Sequence, residues 1–434
     1  MNPIPDTGPF DPQRVDEFLR EFEKPTFELS SARRLHELDG RLGPAGLSLA
    51  DKIEVFKRLA PKADVTGPRQ ELRMECLLRS VAPEDLTRFK CALEYGGDYK
   101  DLVEYVFHDI DDTECRARII DYLRTAPAQI GVKVLSDVDD TMYANLIDER
   151  YPQKTLYPGV LEFYDSVKHE PFPLPAIPVT TLSARPNPVA GRLEEASLTR
   201  LAEFTKGRLG PSGLSGALFS STVGTVETVL RAELDLLSDE VPHGQEDAIG
   251  TVKFKNFGKF ATVYPEYRYV FVGDSGQADA LTAHLMVTET SGEGSARVVT
   301  TFIHDLRRSP TDERSASPAF RRLPSDVLVT RTSATGRGVI VFRNYIEAAV
   351  IAHAHSPTLN DVVTAEGLAR ITRAALEQFR AIDFRGKEES RERLRTQFRE
   401  DAEEAYTRLT TATPSPSPLE GDMTEIRRIL DTEF

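Results

Sequence analysis

Hydrophobic residues recur at helical spacing through the first third of the chain. Between residues 47 and 123 apolar side chains return every three or four positions, and prolines and the Gly96–Gly97 pair interrupt them. Such spacing is typical of amphipathic helices, and Pro and Gly commonly end them. The pattern predicts an all-α module of several short helices at 47–125. A loosely ordered lead-in with one amphipathic piece around 15–22 is expected at 1–46.

The hydrophobic pattern changes at about Ala126. Short, β-branched apolar runs now alternate with helical stretches, which is typical of a parallel sheet covered by helices on both faces. We therefore predict a Rossmann-like α/β domain at 126–355, preceded by the all-α module. The candidate strands are residues 132–135, 177–182, 217–219, 269–272, 298–303 and 339–342.

The chain returns to a helical pattern near its end. Helices are predicted at 356–410, where the charged stretch 385–408 indicates a solvated helix face. Residues 411–434 combine a PSPSP linker with a short amphipathic tail, whose apolar residues fall largely on one face. Because so short a helix is marginal alone, the stripe implies docking on this chain's core or on a protein partner. A frayed terminus is the alternative.

Charge and cysteine content narrow the class of protein. The net charge of −15 argues against a surface built to coat nucleic acid or an anionic membrane. The three cysteines are odd in number and form no CxxC pair, which favours a reducing compartment. The first residues contain no basic segment followed by an apolar one, so they do not resemble a signal peptide. No window approaches the roughly 20 apolar residues of a membrane span. A cytoplasmic protein is expected.

Two carboxylates follow the first predicted strand in the string Ser-Asp137-Val-Asp139-Asp140-Thr141. Residues i and i+2 of an extended segment point to the same side, so Asp137 and Asp139 should face one ligand while Asp140 faces away. One carboxylate can attack phosphorus to form an acyl-phosphate, and the other can protonate the leaving oxygen and then activate water. The pair therefore predicts phosphoryl-transfer chemistry.

Further polar residues follow other predicted strands, where ligands bind parallel sheets. The second run leads into Ser183 and Arg185, the fourth into Asp274 and Asp279, and Lys253 lies upstream of the fourth. Carboxylates suit Mg²⁺, which must lie between nucleophile and phosphate to offset their repulsion. The Ser183 hydroxyl and the Lys253 ammonium would hold the phosphoryl oxygens.

The ordered set DxDxT, strand-ending Ser, Lys and GDxxxxD resembles the four motifs of the haloacid dehalogenase superfamily. Within that superfamily, the phrases LSDVDDT, LSARP, YPEYRYVFVGDSGQAD, TFIHDL and FRNYIEAA are similar to the catalytic-domain family of the actin-patch-associated phosphatidate phosphatase. The resemblance covers roughly residues 132–352 and implies a haloacid dehalogenase-like fold. It also implies phosphatidate, presented at a membrane surface, as a substrate.

The resemblance implies a role for each matching residue. Asp137 would be the nucleophile and a magnesium ligand, and Asp139 the acid/base, with its backbone carbonyl also on the metal. Thr141 would support the motif loop beside the substrate, and Ser183 and Lys253 would bind phosphate. Asp274 and Asp279 would complete the magnesium site.

Several assignments keep an alternative. Single members of the set could be caps of helices. Lys255 and Lys259 compete with Lys253, and Arg185 could bind substrate or only pair with a carboxylate. His304 follows the fifth run, where a structural hydrogen bond is favoured over contact with substrate. The string at 109–113 repeats DxDDT but follows a helical run, so we interpret it as a helix junction with Asp and Thr as N-caps.

The sequence as a whole predicts a Mg²⁺-dependent phosphomonoesterase working through an aspartyl-phosphate. A phosphatase for a non-lipid phosphorylated compound and a catalytically weak scaffold are the alternatives. A dehalogenase is disfavoured, because it needs no proton-transfer group such as Asp139. The segment 186–252 would form any cap over the site, with a predicted helix at 226–237.

Overall fold

The computed structural model describes the chain in fifteen pieces. They are residues 10–22, 47–59, 67–94, 102–127, 131–145, 147–167, 179–186, 214–220, 245–289, 297–309, 312, 314–329, 338–355, 362–412 and 419–434.

Seven parallel strands form one sheet in the order β3-β2-β1-β4-β5-β7-β6. They are β1 Gly131–Ser136, β2 Val179–Pro186, β3 Leu214–Ser220, β4 Tyr267–Asp274, β5 Val298–His304, β6 Leu328–Val329 and β7 Val339–Phe342. The predicted α/β class with a parallel sheet is confirmed, and all six predicted strands are present. The two-residue β6 was not predicted, because so short a strand carries no periodic pattern.

The strand boundary that bears on the site was predicted wrongly. We placed the end of the second strand at 182, but β2 continues to Pro186. Ser183 and Arg185 therefore lie inside β2 and not after it. The extension pairs with β3 through Pro186 and Ser220, and a neighbouring strand is not visible in a local pattern.

Fourteen α-helices accompany the sheet in the described part of the chain. Those before β1 are α1 Pro12–Phe22, α2 Leu49–Leu59, α3 Pro68–Arg79, α4 Leu86–Glu94, α5 Leu102–Glu104 and α6 Thr113–Leu123. Those between strands are α7 Val160–Val167, α8 Gln245–Val263, α9 Asp279–Thr288 and α10 Pro318–Arg321. The last four are α11 Tyr345–Ala354, α12 Ala365–Arg380, α13 Glu388–Ala412 and α14 Glu420–Glu433. None of these helices is both long and apolar enough to cross a bilayer.

The two faces of the sheet bury two separate hydrophobic clusters. Val134 and Phe302 face a cluster with α7 and α11 to α14. Leu135 and Ile303 point the opposite way, into a cluster with α8, α9 and the helices before β1. Strand side chains alternate between faces, so neighbouring residues enter different cores. The N-terminal helices thus share a core with the sheet, while the domain boundaries stay a prediction.

The amphipathic tail packs on this chain's own helices. Ile426, Ile429 and Leu430 of α14 are buried, and α14 contacts α12 and α13. The ring of Phe434 lies 5.6 Å from that of Phe379 on α12. Of the alternatives left open by the sequence, docking on this chain's core is the one the structure supports. The PSPSP residues lie outside the described pieces.

The second DxDDT string forms a helix junction, as predicted. Asp112 caps α6, because its carboxylate accepts hydrogen bonds from the backbone N–H groups of Glu114 (2.9 Å) and Cys115 (3.3 Å). Thr113 is the first residue of α6 and not a cap, which corrects that detail. The Glu71 carboxylate accepts the N–H of Asp111 at 2.9 Å. The carboxylate of Asp112 is thus committed to local structure.

A buried ion pair joins the N-terminal helices to the turn before β4. The ammonium of Lys90 lies 2.8 Å from the carboxylate of Glu266, and both side chains are fully buried. Lys90 also donates to the Val263 carbonyl (2.9 Å), and the Thr87 hydroxyl donates to Glu266 (3.1 Å). Burial lowers the pKa of Lys90 even though Glu266 raises it. Each of the two buried charges is therefore stabilised by the other.

Removing one member of this pair should destabilise the fold strongly. Glu266→Ala leaves the Lys90 ammonium buried without its carboxylate, so we expect the free energy of unfolding to fall by about 3–5 kcal/mol. Asp16→Ala breaks the exposed pair with Arg58 and should cost under about 1 kcal/mol. Chemical denaturation measures both. Equal losses in the two variants would contradict the role given to the buried pair.

Candidate active site

The predicted functional carboxylates meet where the strand order of the sheet reverses. From β1 the chain builds β2 and β3 on one side, and from β4 it builds β5, β7 and β6 on the other. Asp137 follows the last residue of β1 and Asp274 is the last residue of the neighbouring β4. Ligands of parallel sheets bind at the carboxyl edge of such a switch point.

Lys253 connects two carboxylates at this edge. It lies in the middle of α8, and its Nζ donates to Oδ1 of Asp137 at 2.8 Å and to Oδ1 of Asp279 at 2.6 Å. Lys255 is exposed, and Lys259 lies over the ring of Phe107, which precedes α6. Of the three lysines considered from the sequence, Lys253 is therefore the one at the site.

Asp274 has one oxygen that is committed and one that is not. Its Oδ1 accepts the backbone N–H groups of Gly276 (2.7 Å) and Gln277 (3.1 Å). Its Oδ2 is buried and has no hydrogen-bond partner among the described residues. One oxygen each of Asp137, Asp274 and Asp279 lies within 4.8 Å of the others. These three carboxylates could hold a divalent cation.

Burial and the clustering of negative charge raise the pKa values of two carboxylates at this site. Burial raises the pKa of Asp137 to about 7, because the lowering by Lys253 is smaller. Burial and the charge of Asp279 raise the pKa of Asp274 well above its usual value. Burial alone would lower the pKa of Lys253, yet Asp137 and Asp279 raise it. Added positive charge would therefore stabilise the ionised carboxylates.

Gly273 permits the close approach of α9 to β4. A Cβ atom at this position would lie 2.5 Å from the Cβ of Asp279 and 2.7 Å from its Oδ2. Because no larger residue fits, Asp279 at the start of α9 can lie against the strand end. Its Oδ2 accepts the backbone N–H of Asp274 at 3.2 Å.

Asp139 and Asp140 play different parts in the loop after β1. Asp139 is half-buried, its charge raises the pKa of Asp137, and its Oδ1 accepts a 2.7 Å hydrogen bond from Nδ2 of Asn145. Asp140 is fully buried and has a φ of 56°. Its carboxylate accepts the backbone N–H groups of Asn145 (2.8 Å), Ile147 (2.7 Å) and Asp148 (3.2 Å).

A buried network below this loop involves His304. The His304 Nδ1 lies 3.1 Å from the Asp140 carbonyl oxygen, and its Nε2 lies 3.2 Å from Nη2 of Arg150. Arg150 pairs with both oxygens of Asp148 (2.9 and 3.0 Å), and the Tyr157 hydroxyl donates to Asp148 at 2.8 Å. Burial and the charge of Arg150 lower the pKa of His304 to about 4. The neutral ring thus donates from Nδ1 and accepts at Nε2, which is the structural hydrogen bond we favoured.

The network contains residues that sequence reasoning missed. Asp148 and Arg150 are buried, although they lie in a charged stretch after the Asp137–Thr141 string to which we assigned no role. Their two-residue spacing allows the bidentate pair, but that spacing is common on protein surfaces. No local signal separates a buried pair from a solvated one.

Three predicted site residues remain, namely Thr141, Ser183 and Arg185. Thr141 is fully buried, its hydroxyl has no partner among the described residues, and its carbonyl accepts from the Tyr345 hydroxyl at 2.7 Å. This burial suits support of the loop better than contact with substrate. The side chains of Ser183 and Arg185 lie outside the described residues, although the backbone of β2 brings both to the carboxyl edge. Segments 187–213 and 221–244, with the predicted helix at 226–237, also lie outside them.

Comparisons of this chain with protein-family models, with curated proteins and with solved structures found no match.

The loop after β1 should depend on the Asp140 carboxylate. Asp140→Ala removes the acceptor of three backbone N–H groups, so we expect a loss of at least about 2 kcal/mol in unfolding free energy. Hydrogen exchange at Ile147 and Asp148 should become faster. Asp139→Ala, one residue away, keeps those acceptors and should leave both amides protected. Similar exchange in the two variants would contradict this role.

Proposed function

We propose that this chain is a phosphomonoesterase of the haloacid dehalogenase type in which Asp137 attacks phosphorus. One observation carries the proposal. At the switch point of the sheet, Lys253 donates hydrogen bonds to Asp137 and Asp279, and Asp274 lies beside them. Helix caps explain single members of the motif set. They do not explain why four members from three distant segments of the chain converge on one site.

In the first step a carboxylate oxygen of Asp137 bonds to phosphorus and the bond to the leaving oxygen breaks. Asp139 gives its proton to that oxygen, so an alcohol leaves and Asp137 carries an acyl-phosphate. The Lys253 ammonium, already 2.8 Å from Asp137, neutralises charge on the transferring phosphoryl oxygens.

In the second step a water molecule gives a proton to the Asp139 carboxylate and its oxygen attacks phosphorus. The bond to Asp137 breaks, which releases inorganic phosphate and restores the nucleophile. Asp139 regains the proton it gave, so the cycle closes with one phosphate monoester and one water consumed.

Magnesium is the proposed cofactor. Asp137, Asp274 and Asp279 would hold it, together with the backbone carbonyl of Asp139 that the resemblance suggests. The uncommitted Oδ2 of Asp274 and the surplus of buried negative charge fit a hard cation. When bound, the cation supplies the charge that offsets repulsion between a carboxylate nucleophile and phosphate.

The proposed substrate class is a phosphate monoester in the cytoplasm. The choice of phosphatidate as the substrate rests on the family resemblance alone, and a non-lipid phosphorylated compound is the other candidate. The paired Asp137 and Asp139 favour an enzyme over a scaffold, which has no need of them. A magnesium-dependent phosphate-release screen over lipid, nucleotide, sugar and phosphopeptide substrates separates these possibilities.

Asp137→Asn should abolish turnover, because it removes the attacking charge and preserves shape. We expect kcat to fall on the order of 10³-fold or more, with an unchanged unfolding transition. The double variant Asp109→Asn/Asp111→Asn alters the second DxDDT string and should keep the kcat of its folded fraction. Phosphate release measures both. Wild-type turnover in Asp137→Asn, in a preparation free of other phosphatases, would refute the mechanism.

Metal removal tests the proposed cofactor separately. Excess EDTA should abolish turnover and added Mg²⁺ should restore it, whereas Ca²⁺, which accepts looser coordination, should bind and support little. Asp274→Asn should raise the Mg²⁺ concentration for half-maximal activity by at least about tenfold, since a charged ligand is lost. Asp279→Asn should have a milder effect. Full activity in EDTA would rule out the cofactor.

A further inference from the structure

Asn145 makes a contact with Asp139 that the motifs do not assign. The Nδ2 amino group of Asn145 lies 2.7 Å from Oδ1 of Asp139, in the half-buried part of the loop after β1. We propose that Asn145 is a positioning residue that orients Asp139 toward the leaving group. This role rests on the proposed phosphatase function.

The contact constrains which oxygen of Asp139 carries the proton. The amino group of an Asn side chain only donates, so Oδ1 of Asp139 must present a lone pair to it. The contact favours Oδ2 as the oxygen that carries the proton for the leaving group, because the carbonyl-type oxygen of a carboxylic acid is the better acceptor. An amino donor suits both the protonated and the ionised form of Asp139, and a residue that alternates between acid and base needs such a partner in both steps. Asn145 thus fixes one carboxyl geometry through the cycle.

Asn145 is itself held firmly. Its backbone N–H donates to Oδ1 of Asp140 at 2.8 Å, beside the bonds from Ile147 and Asp148 to the same carboxylate. The segment also forms bridge pairs between Asp139 and Tyr143 and between Tyr143 and Leu156. Truncating the Asn145 side chain leaves all of these backbone contacts in place. The amide group can therefore be removed without removing the loop that bears it.

If Asp139 is no longer oriented by Asn145, kcat/KM should fall most for substrates with poor leaving groups. General acid catalysis protonates the leaving oxygen, and an aryloxide stabilised by a nitro group needs this help least. A series from 4-nitrophenyl to 4-methoxyphenyl phosphate varies the need for protonation while the ring remains similar. Because kcat/KM reports the steps up to loss of the leaving group, it isolates the acid role from later attack by water.

The test compares leaving-group dependence in the 434-residue chain with Mg²⁺. In Asn145→Ala, kcat/KM for 4-methoxyphenyl phosphate should fall on the order of tenfold, a part of the ~10²–10⁴-fold that general acids supply. The value for 4-nitrophenyl phosphate should change less than about twofold. Asn145→Leu keeps the branched shape of the side chain without the donor and should have the same effect, which preserves the test if the alanine variant folds poorly.

Gln153→Ala provides the matched control. Gln153 is exposed on the same loop, and its Nε2 lies 3.4 Å from the Asn145 carbonyl, so its loss perturbs the loop without touching Asp139. It should keep the wild-type leaving-group dependence. An unchanged dependence in both Asn145 variants, or an equal loss on every substrate, would overturn the positioning role. Absence of Mg²⁺-dependent hydrolysis in the wild-type protein would instead overturn the proposed function, and this role with it.

Discussion

Mutual repulsion among closely spaced carboxylates is the constraint on which the centre of this molecule depends. Asp137, Asp274 and Asp279 lie within 4.8 Å of one another with Lys253 between two of them. One ammonium does not neutralise three carboxylates, and burial accordingly raises the pKa of Asp137 and of Asp274. Added positive charge would stabilise these ionised carboxylates, and the proposed magnesium ion would supply it. The packing of the surrounding sheet and helices must offset the repulsion among these carboxylates.

The loop after β1 is fixed from within rather than by neighbouring helices alone. The Asp140 carboxylate satisfies three backbone N–H groups, and the neutral His304 ring links the Asp140 carbonyl to Arg150. Such a fully bonded polar network is rigid, because every broken bond would leave a buried group unpaired. Rigidity here matters for chemistry, since Asp137 and Asp139 lie on the same short segment. The proposed orientation of Asp139 by Asn145 depends on it.

Both faces of the sheet are covered, and they are covered by parts of the chain remote in sequence. Helices before β1 share a core with α8 and α9, and the buried Lys90–Glu266 pair links the two groups. The opposite face is covered by α7 and by α11 to α14, so that the C-terminal tail helix is part of the same core. A parallel sheet needs this double cover because its central strands carry apolar side chains on both faces.

The sequence by itself determined the α/β class, six of the seven strands and the identity of Asp137, Asp274 and Asp279 as one set, with Lys253, Lys255 and Lys259 as candidates for the lysine. Strand runs and motif residues are local in sequence, and the carboxyl edge of a parallel sheet gathers whatever follows its strands. Only tertiary structure selected Lys253 over Lys255, set the end of β2 at Pro186, and buried Asp148 and Arg150 beneath the loop. It also put the tail on this chain's own helices and set Asn145 against Asp139. These outcomes depend on which distant surface covers a residue, and a local pattern can mark an apolar face without identifying the surface that covers it.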